Sequence, residues 1–445
     1  MKEIFKAYDV RGLYPSEIHE ELVEKTGKAY VEFTGAKKVA VACDKRVSSP
    51  SLLAALIKGL TESGADVVDL GLLSTPMLYF ASSRLEIDGA IMVTASHNPG
   101  QYNGLKFCKK NAVPMGLASG LSEIRDIALA GIFKNSERVG TVSSYDVKPE
   151  YDKLLASFAD FKGKKFHIVT DTAHAMGVLE LPVYKQLSGV TLCGTLYDTL
   201  TLPGTCPHEA NPLKTETLIE LQHVVRKTKS DMGIAYDGDA DRIGFVDEKG
   251  RVVPMDLVTA LLAQIILQDH PKSLCLFDVR SSKAVKEVIE EFGGIAHESK
   301  VGHAIIKRQM IEEGALFAGE ISGHYYFSLS GYSAEMGTLP AILLMNLMAR
   351  TGKKLSLLVD EVQRYAHSGE INMEVADANA ILTKIKECYH DGILSERDGV
   401  KIVYPKWWFS LRSSNTEPLL RLNLEADTPQ IMEARKEELL AIING

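Results

Sequence analysis

The chain has 445 residues, of which 45% are hydrophobic and 24% charged, ordinary proportions for a globular protein too long for a single hydrophobic core. Its formal net charge of −8 argues against nucleic acid or an anionic membrane as the main partner, because both attract basic surfaces. Six dispersed cysteines without a CxxC pair argue against a disulfide framework or zinc site and favour reduced thiols. There is no apolar signal core, and the apolar stretch at 339–349 is about half of the ~20 residues that a membrane span needs. We therefore expect a cytoplasmic protein without a membrane segment.

Short β-branched runs alternate with helical patterns through the first 320 residues. Strand and helix alternating at this spacing predict largely parallel sheets covered by helices. The predicted strands are 38–43, 66–70, 90–94, 167–170, 232–236 and 273–278, and the predicted helices are 51–63 and 282–292.

The pattern changes after Gly369, where strands and helices predict a smaller α+β unit. At roughly 150 residues per domain, the length suggests about three domains, and four are compatible with it. Polar, punctuated stretches at 143–149, 248–254 and 367–369 are candidate boundaries. The predicted elements of the last unit are a strand at 370–375, a helix at 376–390, strands near Phe409 and Leu420 and a helix from Pro429. The predicted domains are 1–147, 148–251, 252–366 and 367–445.

The first loop that suggests chemistry is TASHNP at 94–99, directly after an apolar predicted strand. Ligands of open α/β sheets bind beyond the carboxyl ends of strands, so Ser96 lies where chemistry is expected. A serine hydroxyl is a weak nucleophile unless a base or a metal activates it. Lys106, in the following NGLK, can bring an ammonium group to the same loop. The alternative is an ordinary turn in which Ser96 and Asn98 bond to the backbone before Pro99.

The second loop is DGDADR at 237–242. Its carboxylates, Asp237, Asp239 and Asp241, repel one another and raise one another's pKa unless a cation is present. Magnesium, a hard ion with oxygen ligands, resolves that repulsion. An EF-hand is a rival, but Arg242 occupies the position that needs glycine and the flanks predict strands. A solvated acidic loop is the other alternative, and metal binding is the interpretation that we favour.

The third loop is GEISGH at 319–324, which follows a short apolar run. Glu320 and Ser322 lie two residues apart and can bind a pair of neighbouring sugar hydroxyls. Considered alone, this loop is better explained as an ordinary capped turn.

The fourth loop is RSSNTEP at 412–418. One guanidinium is followed by four side chains able to donate hydrogen bonds, which suits a phosphate dianion. A solvent-exposed polar turn is the alternative. Arg421 can add positive charge here or be an ordinary residue on the surface of a strand.

Together, these loops resemble the active-site loops of the alpha-D-phosphohexomutases. TASHNP with NGLK, DGDADR, GEISGH and RSSNTEP occur in that family's order, one in each predicted domain, and YDVRG at 8–12 is similar to its N-terminal signature. The resemblance extends over essentially the whole chain. Three segments depart from it: 170–177 lacks the usual glycine-rich character, 333–335 stands where relatives often have paired aspartates, and 204–208 matches only loosely.

The resemblance implies three α/β sandwich domains with mixed sheets and a smaller α+β C-terminal domain, arranged around a central cleft. It implies that Ser96 carries a phosphoryl group and that Asp237, Asp239 and Asp241 hold Mg²⁺ together with the serine phosphate. The other implied site residues are Arg11, His97, Lys106, Arg242 and His303 for catalysis, Tyr8, Arg280, Glu320, Ser322 and His324 for substrate binding, and Arg412, Ser413, Asn415 and Thr416 for the phosphate that is not transferred.

The function implied is a mutase that interconverts hexose 6-phosphates and hexose 1-phosphates, with a hexose 1,6-bisphosphate as intermediate and activator. Lys106 and His303 are both candidates for the proton transfers. SGEIN at 368–372 and RLN at 421–423 resemble the phosphomannomutase/phosphoglucomutase branch, which favours mannose phosphates and allows glucose phosphates as further substrates. The alternatives are phosphoglucomutase, phosphoglucosamine mutase and, more distantly, a metal-dependent phosphohydrolase. The expected partner is a small phosphosugar, and the oligomeric state stays open.

Overall fold

The computed structural model describes residues 2–200, 206–329, 331–375, 377–413 and 419–444. Its strands form four sheets that follow one another along the chain. The first three sheets mix parallel and antiparallel pairs, and the fourth is antiparallel throughout. The predicted fold class, three mixed α/β units followed by a smaller α+β unit, is confirmed.

The first unit contains a seven-stranded sheet. Its strands are β1 (Val10–Leu13), β2 (Lys38–Cys43), β3 (Asp66–Leu72), β4 (Gly89–Val93), β5 (Tyr102–Lys109), β6 (Val113–Pro114) and β7 (Val142–Ser144), and its helices are α1 (Glu20–Thr34), α2 (Ser49–Glu62), α3 (Thr75–Arg84) and α4 (Leu121–Ala130). The order is β1-β5-β4-β2-β3-β7, with β6 beside β5. Because β2 and β4 are parallel neighbours, the loops that follow them meet at one edge of the sheet.

The second unit contains five strands in the order β12-β11-β10-β8-β9. Its helices are α5 (Lys148–Ala156), α6 (Leu181–Gln186) and α7 (Ile219–Thr228), and its strands are β8 (Phe166–Asp171), β9 (Val190–Leu196), β10 (Met232–Tyr236), β11 (Ile243–Asp247) and β12 (Val252–Val253). β10 and β11 form an antiparallel hairpin closed by residues 237–242. The pairing of β12 with β11 extends this sheet past residue 251.

The third unit has the order β14-β13-β15-β16-β17. Its strands are β13 (Leu274–Asp278), β14 (Ile295–Ser299), β15 (Phe317–Gly319), β16 (Tyr325–Leu329) and β17 (Tyr332–Glu335), and its helices are α8 (Met255–Asp269), α9 (Lys283–Glu291), α10 (His303–Glu313), α11 (Leu339–Thr351) and α12 (Leu355–Val362). The expectation of largely parallel sheets is wrong for the hairpins β10–β11 and β15–β16. Their connections are far shorter than the dozen or so residues that a parallel crossover requires.

The fourth unit is the antiparallel sheet β18-β22-β21-β20-β19 with two helices. Its strands are β18 (Ala366–Glu374), β19 (Ile393–Ser395), β20 (Val400–Tyr404), β21 (Trp407–Ser413) and β22 (Leu419–Ala426), and its helices are α13 (Ala378–Cys388) and α14 (Pro429–Asn444). β18 begins four residues before the strand predicted at 370–375, and its register shifts between His367 and Glu370. The polar residues 367–369, a predicted boundary, therefore lie inside a strand. β19 and β20 were not predicted.

The first three units share a hydrophobic cluster, whereas the fourth unit packs around a separate one. One continuous cluster includes Met92 of the first sheet, Ile234 of the second and Phe277 of the third. The fourth unit has its own cluster, which includes Phe409 and Leu422. Among the helices of the described residues, none has both the length and the apolar character required to cross a bilayer.

Candidate active site

The loop after β4 and the loop between β10 and β11 meet at Ser96. The Ser96 hydroxyl donates a hydrogen bond to Asp237 Oδ2 at 3.0 Å, and its Oγ lies 3.2 Å from His97 Nδ1. Ser96 has φ 51°, in the left-handed region, and its amide donates to Thr94 Oγ1 at 3.0 Å. A Cβ on Gly238 would lie 2.1 Å from the Ser96 carbonyl oxygen. The two loops are therefore in contact at a distance that only glycine permits.

Arg46, which the sequence analysis did not identify, binds the backbone of the loop at 94–99, called the serine loop below. Its guanidinium donates to the carbonyl oxygens of Ser96 and Asn98, both at 2.7 Å, and to Pro99 O at 2.8 Å. Asp44 anchors the same guanidinium at 3.0 Å. The signal was available, because Asp44 and Arg46 directly follow β2, the parallel neighbour of β4.

Asp237, Asp239 and Asp241 form a buried acidic cluster. Each offers an oxygen within 4.8 Å of the others, and all are at most 4% exposed. Burial, together with the charges of Asp241 and Asp239, raises the pKa of Asp237 to about 8. Lys106 Nζ lies 2.7 Å from Asp239 Oδ2 and 2.5 Å from Asp241 Oδ2. Although burial opposes it, these carboxylates raise the pKa of Lys106, which is held as an ammonium group.

This donor set fits a hard divalent cation. All of its ligand atoms are carboxylate oxygens, and Asp239 Oδ1 is buried without a hydrogen-bond partner among the described residues. The other oxygen of Asp239 accepts a hydrogen bond from Thr75 Oγ1 at 2.7 Å, which fixes the carboxylate plane. Ser96 Oγ, which is hydrogen-bonded to Asp237, adds a further oxygen at the edge of the cluster.

His324 joins the third loop to the acidic cluster. Its Nε2 lies 3.3 Å from Asp241 Oδ1, and its Nδ1 lies 2.8 Å from Ser322 Oγ and 3.4 Å from Glu320 Oε2. Burial opposes protonation, but Asp241 and Glu320 raise the pKa of His324 to about 9. A protonated imidazole donates from Nε2, so it cannot also accept a hydrogen bond from Arg242 Nε, which lies 3.3 Å away.

Glu320 is buried and held from several sides. Tyr326 OH donates to its Oε2 at 2.5 Å and the Gly302 amide to its Oε1 at 3.1 Å. Despite burial, the bond and charge of His324 and the charge of Arg280 lower the pKa of Glu320 to about 2. Glu320 is therefore a fixed carboxylate that can accept hydrogen bonds from a ligand's hydroxyl groups.

Basic and aromatic groups of the first and third units line the same region. Arg11 donates to Asn98 Oδ1 at 2.8 Å and forms an ion pair with Asp9. Burial, then Arg242 and Arg11, lower the pKa of His97 well below its usual value, so its imidazole is neutral. Tyr8 OH donates to Val301 O at 3.1 Å, next to α10.

Three arginines converge on Glu370, a residue that the sequence analysis did not identify. Arg280, Arg412 and Arg421 approach its carboxylate to 3.4, 3.7 and 3.3 Å. Arg280 is also paired with Asp278, at 2.8 Å, and reaches Glu320 at 3.8 Å. Arg280 thus connects Glu320 of the third loop to Glu370 of β18, which also contacts Arg412 at the start of the fourth loop. Ser413, exposed, ends β21, and Asn415 and Thr416 lie outside the described residues.

Comparison with known proteins gives the same family over all four units. Models of the phosphoglucomutase/phosphomannomutase alpha/beta/alpha domains I, II and III match residues 2–134, 149–250 and 254–365, and the C-terminal domain model matches 370–442. A phosphomannomutase of Methanocaldococcus jannaschii is 39% identical over 99% of this chain and 97% of its own length.

The chain belongs to the phosphoglucomutase/phosphomannomutase family. An Escherichia coli phosphomannomutase is 36% identical over 99% of this chain and 98% of its own length. The crystal structure of a phosphoglucomutase/phosphomannomutase family protein from Burkholderia thailandensis superposes with a TM-score of 0.89 at 28% identity, covering 99% of this chain and 97% of that one.

In this phosphoglucomutase/phosphomannomutase family member, contacts connect residues of the first three predicted loops into one continuous site. The connection runs from Ser96 through Asp237 and Asp241 to His324 and Glu320. A hydroxyl beside a carboxylate cluster, with ammonium and guanidinium groups around it, can accept and release a phosphoryl group. Glu370 was missed because a single sequence shows no partner for an isolated charged residue in a strand.

Proposed function

We propose that the chain is a phosphomannomutase that interconverts mannose 6-phosphate and mannose 1-phosphate through phosphorylated Ser96 and a hexose 1,6-bisphosphate. The observation that carries the proposal is the 3.0 Å contact between Ser96 Oγ and Asp237, the first of three buried carboxylates. A serine that attacks or releases phosphate needs charge neutralisation at that point. An ordinary turn would need no such cluster beneath it.

Asp237, Asp239 and Asp241 would hold Mg²⁺, with the phosphate on Ser96 completing its ligands. Bound there, the ion would neutralise negative charge on the phosphoryl oxygens. Lys106, between Asp239 and Asp241, adds a positive charge on the same side. Arg46 fixes the carbonyl groups of the serine loop, so that Ser96 Oγ keeps its direction toward the cluster.

His303 is the group that we propose accepts the proton of the attacking sugar hydroxyl. Burial and the charges of Lys307 and Lys106 lower its pKa well below the usual value, so a neutral imidazole is available. Lys106, held as ammonium by two carboxylates, is suited to donating hydrogen bonds. We assign Arg11, His97 and Arg242 to charge stabilisation around the transferred group, and Glu320, Ser322 and His324 to the sugar hydroxyls.

The phosphate that is not transferred would bind to the arginines that surround Glu370, next to the fourth unit's loop. Arg280 and Arg412 are drawn together there by Glu370, and Tyr8 would lie at the edge of the sugar site. Ser413, Asn415 and Thr416 are assigned to the same phosphate from the resemblance of their loop. The domain division at 147, 251 and 366, and a cytosolic location, belong to this proposal.

Mannose is the favoured sugar because the relatives described above at 39% and 36% identity are both phosphomannomutases. Mannose and glucose differ only in the configuration at C2. A site that must bind the bisphosphate in two orientations cannot make the same specific contacts with the C2 hydroxyl in both. Glucose phosphates are therefore proposed as further, poorer substrates.

Parallel assays test this function. The full chain, with Mg²⁺ and a trace of hexose 1,6-bisphosphate, is given mannose, glucose or glucosamine 1-phosphate, and both 6-phosphate formed and inorganic phosphate released are measured. We expect the highest kcat/KM with mannose 1-phosphate and little release of phosphate. Phosphate release that matches substrate loss would show a phosphohydrolase, and turnover of glucosamine 1-phosphate alone would show a phosphoglucosamine mutase.

A further inference from the structure

A buried ion pair lies directly behind His303. Lys307, one helical turn further along α10, is 0% exposed, and its Nζ lies 2.9 Å from Oε2 of Glu335 at the end of β17. The same ammonium lies 3.8 Å from the centre of the Tyr79 ring. A lysine in such a place requires a partner, because an unpaired buried charge costs several kcal/mol. Glu335 Oε2 supplies it.

The second oxygen of Glu335 is not used by Lys307. Oε1 is buried, has no hydrogen-bond partner among the described residues, and lies 3.9 Å from His303 Nδ1. His303 Nδ1 is likewise buried and unpartnered within that part of the chain. A movement of about 1 Å would join them in a hydrogen bond of ordinary length, and such bonds are often long until substrate binds.

The His303 side chain is partly exposed, but not at Nδ1. The side chain is 16% exposed although Nδ1 is buried, so the exposed part belongs to the remainder of the ring, which carries Nε2. Tyr8 packs edge-on against it with ring centres 5.6 Å apart, and His324 stacks at 6.5 Å.

The charged groups that face His303 favour a neutral ring. Lys307 from its own helix, Lys106 from β5 and His324 from the third loop oppose protonation, and Asp241 favours it. Glu335 faces Nδ1 from β17. A neutral imidazole carries one proton, and the nearest acceptor to either nitrogen that these contacts provide is Glu335 Oε1.

We infer that Glu335 is a positioning residue that holds the proton of His303 on Nδ1, so that Nε2 presents its lone pair to the sugar hydroxyl. A bare Nδ1 lone pair facing a carboxylate oxygen would be repulsive, so the carboxylate selects the tautomer. Lys307 balances the charge of Glu335 through their 2.9 Å ion pair. This inference rests on the proposed function only for the role of Nε2; the tautomer does not depend on it.

The tautomer can be observed directly. The full-length protein is labelled with ¹⁵N-histidine, the two ring nitrogens are resolved by NMR, and His303→Gln assigns the signals. We expect protonated Nδ1 and bare Nε2 in the wild type. In Glu335→Gln, and in Lys307→Met/Glu335→Gln, which leaves no unpaired buried lysine, we expect a mixture of tautomers. Glu335→Asp, which keeps the carboxylate, should restore Nδ1 protonation.

The kinetic test compares the change in kcat with the change in KM for each variant. Loss of an orienting partner of a functional histidine costs on the order of 10-fold to 100-fold. We expect the double variant to lose that in kcat with KM within about threefold, and Glu335→Asp to recover most of it. A wild-type ring protonated on Nε2, or a folded double variant with unchanged tautomer and kcat, would overturn the inference. A wild type with the expected tautomer but no mutase turnover would instead overturn the proposed function.

Discussion

Asp239 has two oxygens in different surroundings. Oδ2 accepts hydrogen bonds from Thr75 and Lys106, and Oδ1 is buried without a partner in the described chain. Replacing Asp239 by Asn removes a charge from the proposed metal site with little change in shape. We expect the Mg²⁺ concentration for half-maximal activity to rise by at least about tenfold, the lower end of the effect of losing an outer-shell partner. Activity titrated with Mg²⁺ measures this.

Asp146→Asn, which neutralises an exposed carboxylate outside the cluster, is the matched control and should leave the titration unchanged. An unaltered Mg²⁺ requirement in a folded Asp239→Asn protein would contradict the proposed metal site.

Single residues were predictable where the chemistry is local. Alternating aspartates in 237–242 repel one another whatever the fold, so the sequence alone was sufficient to identify the three carboxylates that the structure places in one buried cluster. Glu335 and Glu370 were not predictable as site residues, because each acquires its role only from partners brought in by the fold. Lys307 and Glu335 lie 28 positions apart.

At the level of elements, the contact between the serine loop and the β10–β11 loop depends on Gly238. A methyl group there would lie 2.1 Å from the Ser96 carbonyl oxygen, so Gly238→Ala must push the two loops apart. A displacement of about 1 Å at a reacting group can cost about 100-fold. We expect Gly238→Ala to lower kcat by about that factor while the protein stays folded, measured by the mutase assay and circular dichroism.

Gly100→Ala is the control for that prediction. Gly100 follows the same serine loop, and no neighbouring atom lies within 4 Å of an added Cβ. We expect near-wild-type kcat. Equal losses in both variants would mean that the loop tolerates no substitution at all, and no loss in Gly238→Ala would contradict the close packing of the two loops.

Elements were predicted well where apolar runs are buried on both sides. The strands at 38–43 and 232–236 were predicted with their observed bounds. β19 was missed because it is short and largely exposed, and β20 because only Val400 and Ile402 are buried while its other three residues are partly exposed. The antiparallel hairpins were missed because apolar runs identify strands but not their direction, which here is determined by the short connections at 237–242 and 320–324.

In the whole molecule, Glu180 connects the first three units. It is fully buried and accepts hydrogen bonds from Ser74 Oγ of the first unit and Thr338 Oγ1 of the third, both at 2.8 Å. Thr338 Oγ1 also lies 3.0 Å from the hydroxyl of Tyr236, the residue that directly precedes the loop at 237–242. Burial raises the pKa of Glu180 from 4.5 to about 7 in spite of these bonds.

That pKa shift makes stability depend on pH. The folded state binds the proton more tightly than the unfolded state, so the contribution is fully present below pH 4.5 and is lost as pH rises through about 7. Its full size is about 3 kcal/mol. We expect the thermal midpoint of the wild type to fall over this window relative to Glu180→Gln, which cannot ionise.

Glu312→Gln, at an exposed position on α10, should follow the wild-type profile. Parallel pH profiles for the wild type and Glu180→Gln would contradict the shifted pKa. The junction itself could not be predicted, because nothing in 176–181 distinguishes Glu180 from a surface residue until three domains have packed around it.

The central claim is that Ser96 carries the phosphoryl group during turnover. Intact-mass spectrometry of the protein quenched during turnover with hexose 1,6-bisphosphate, followed by peptide mapping, tests it directly. The account predicts one added phosphoryl group, located on Ser96, and no adduct and no turnover in Ser96→Ala, which should remain folded. Sustained mutase turnover without an adduct on Ser96 would contradict it.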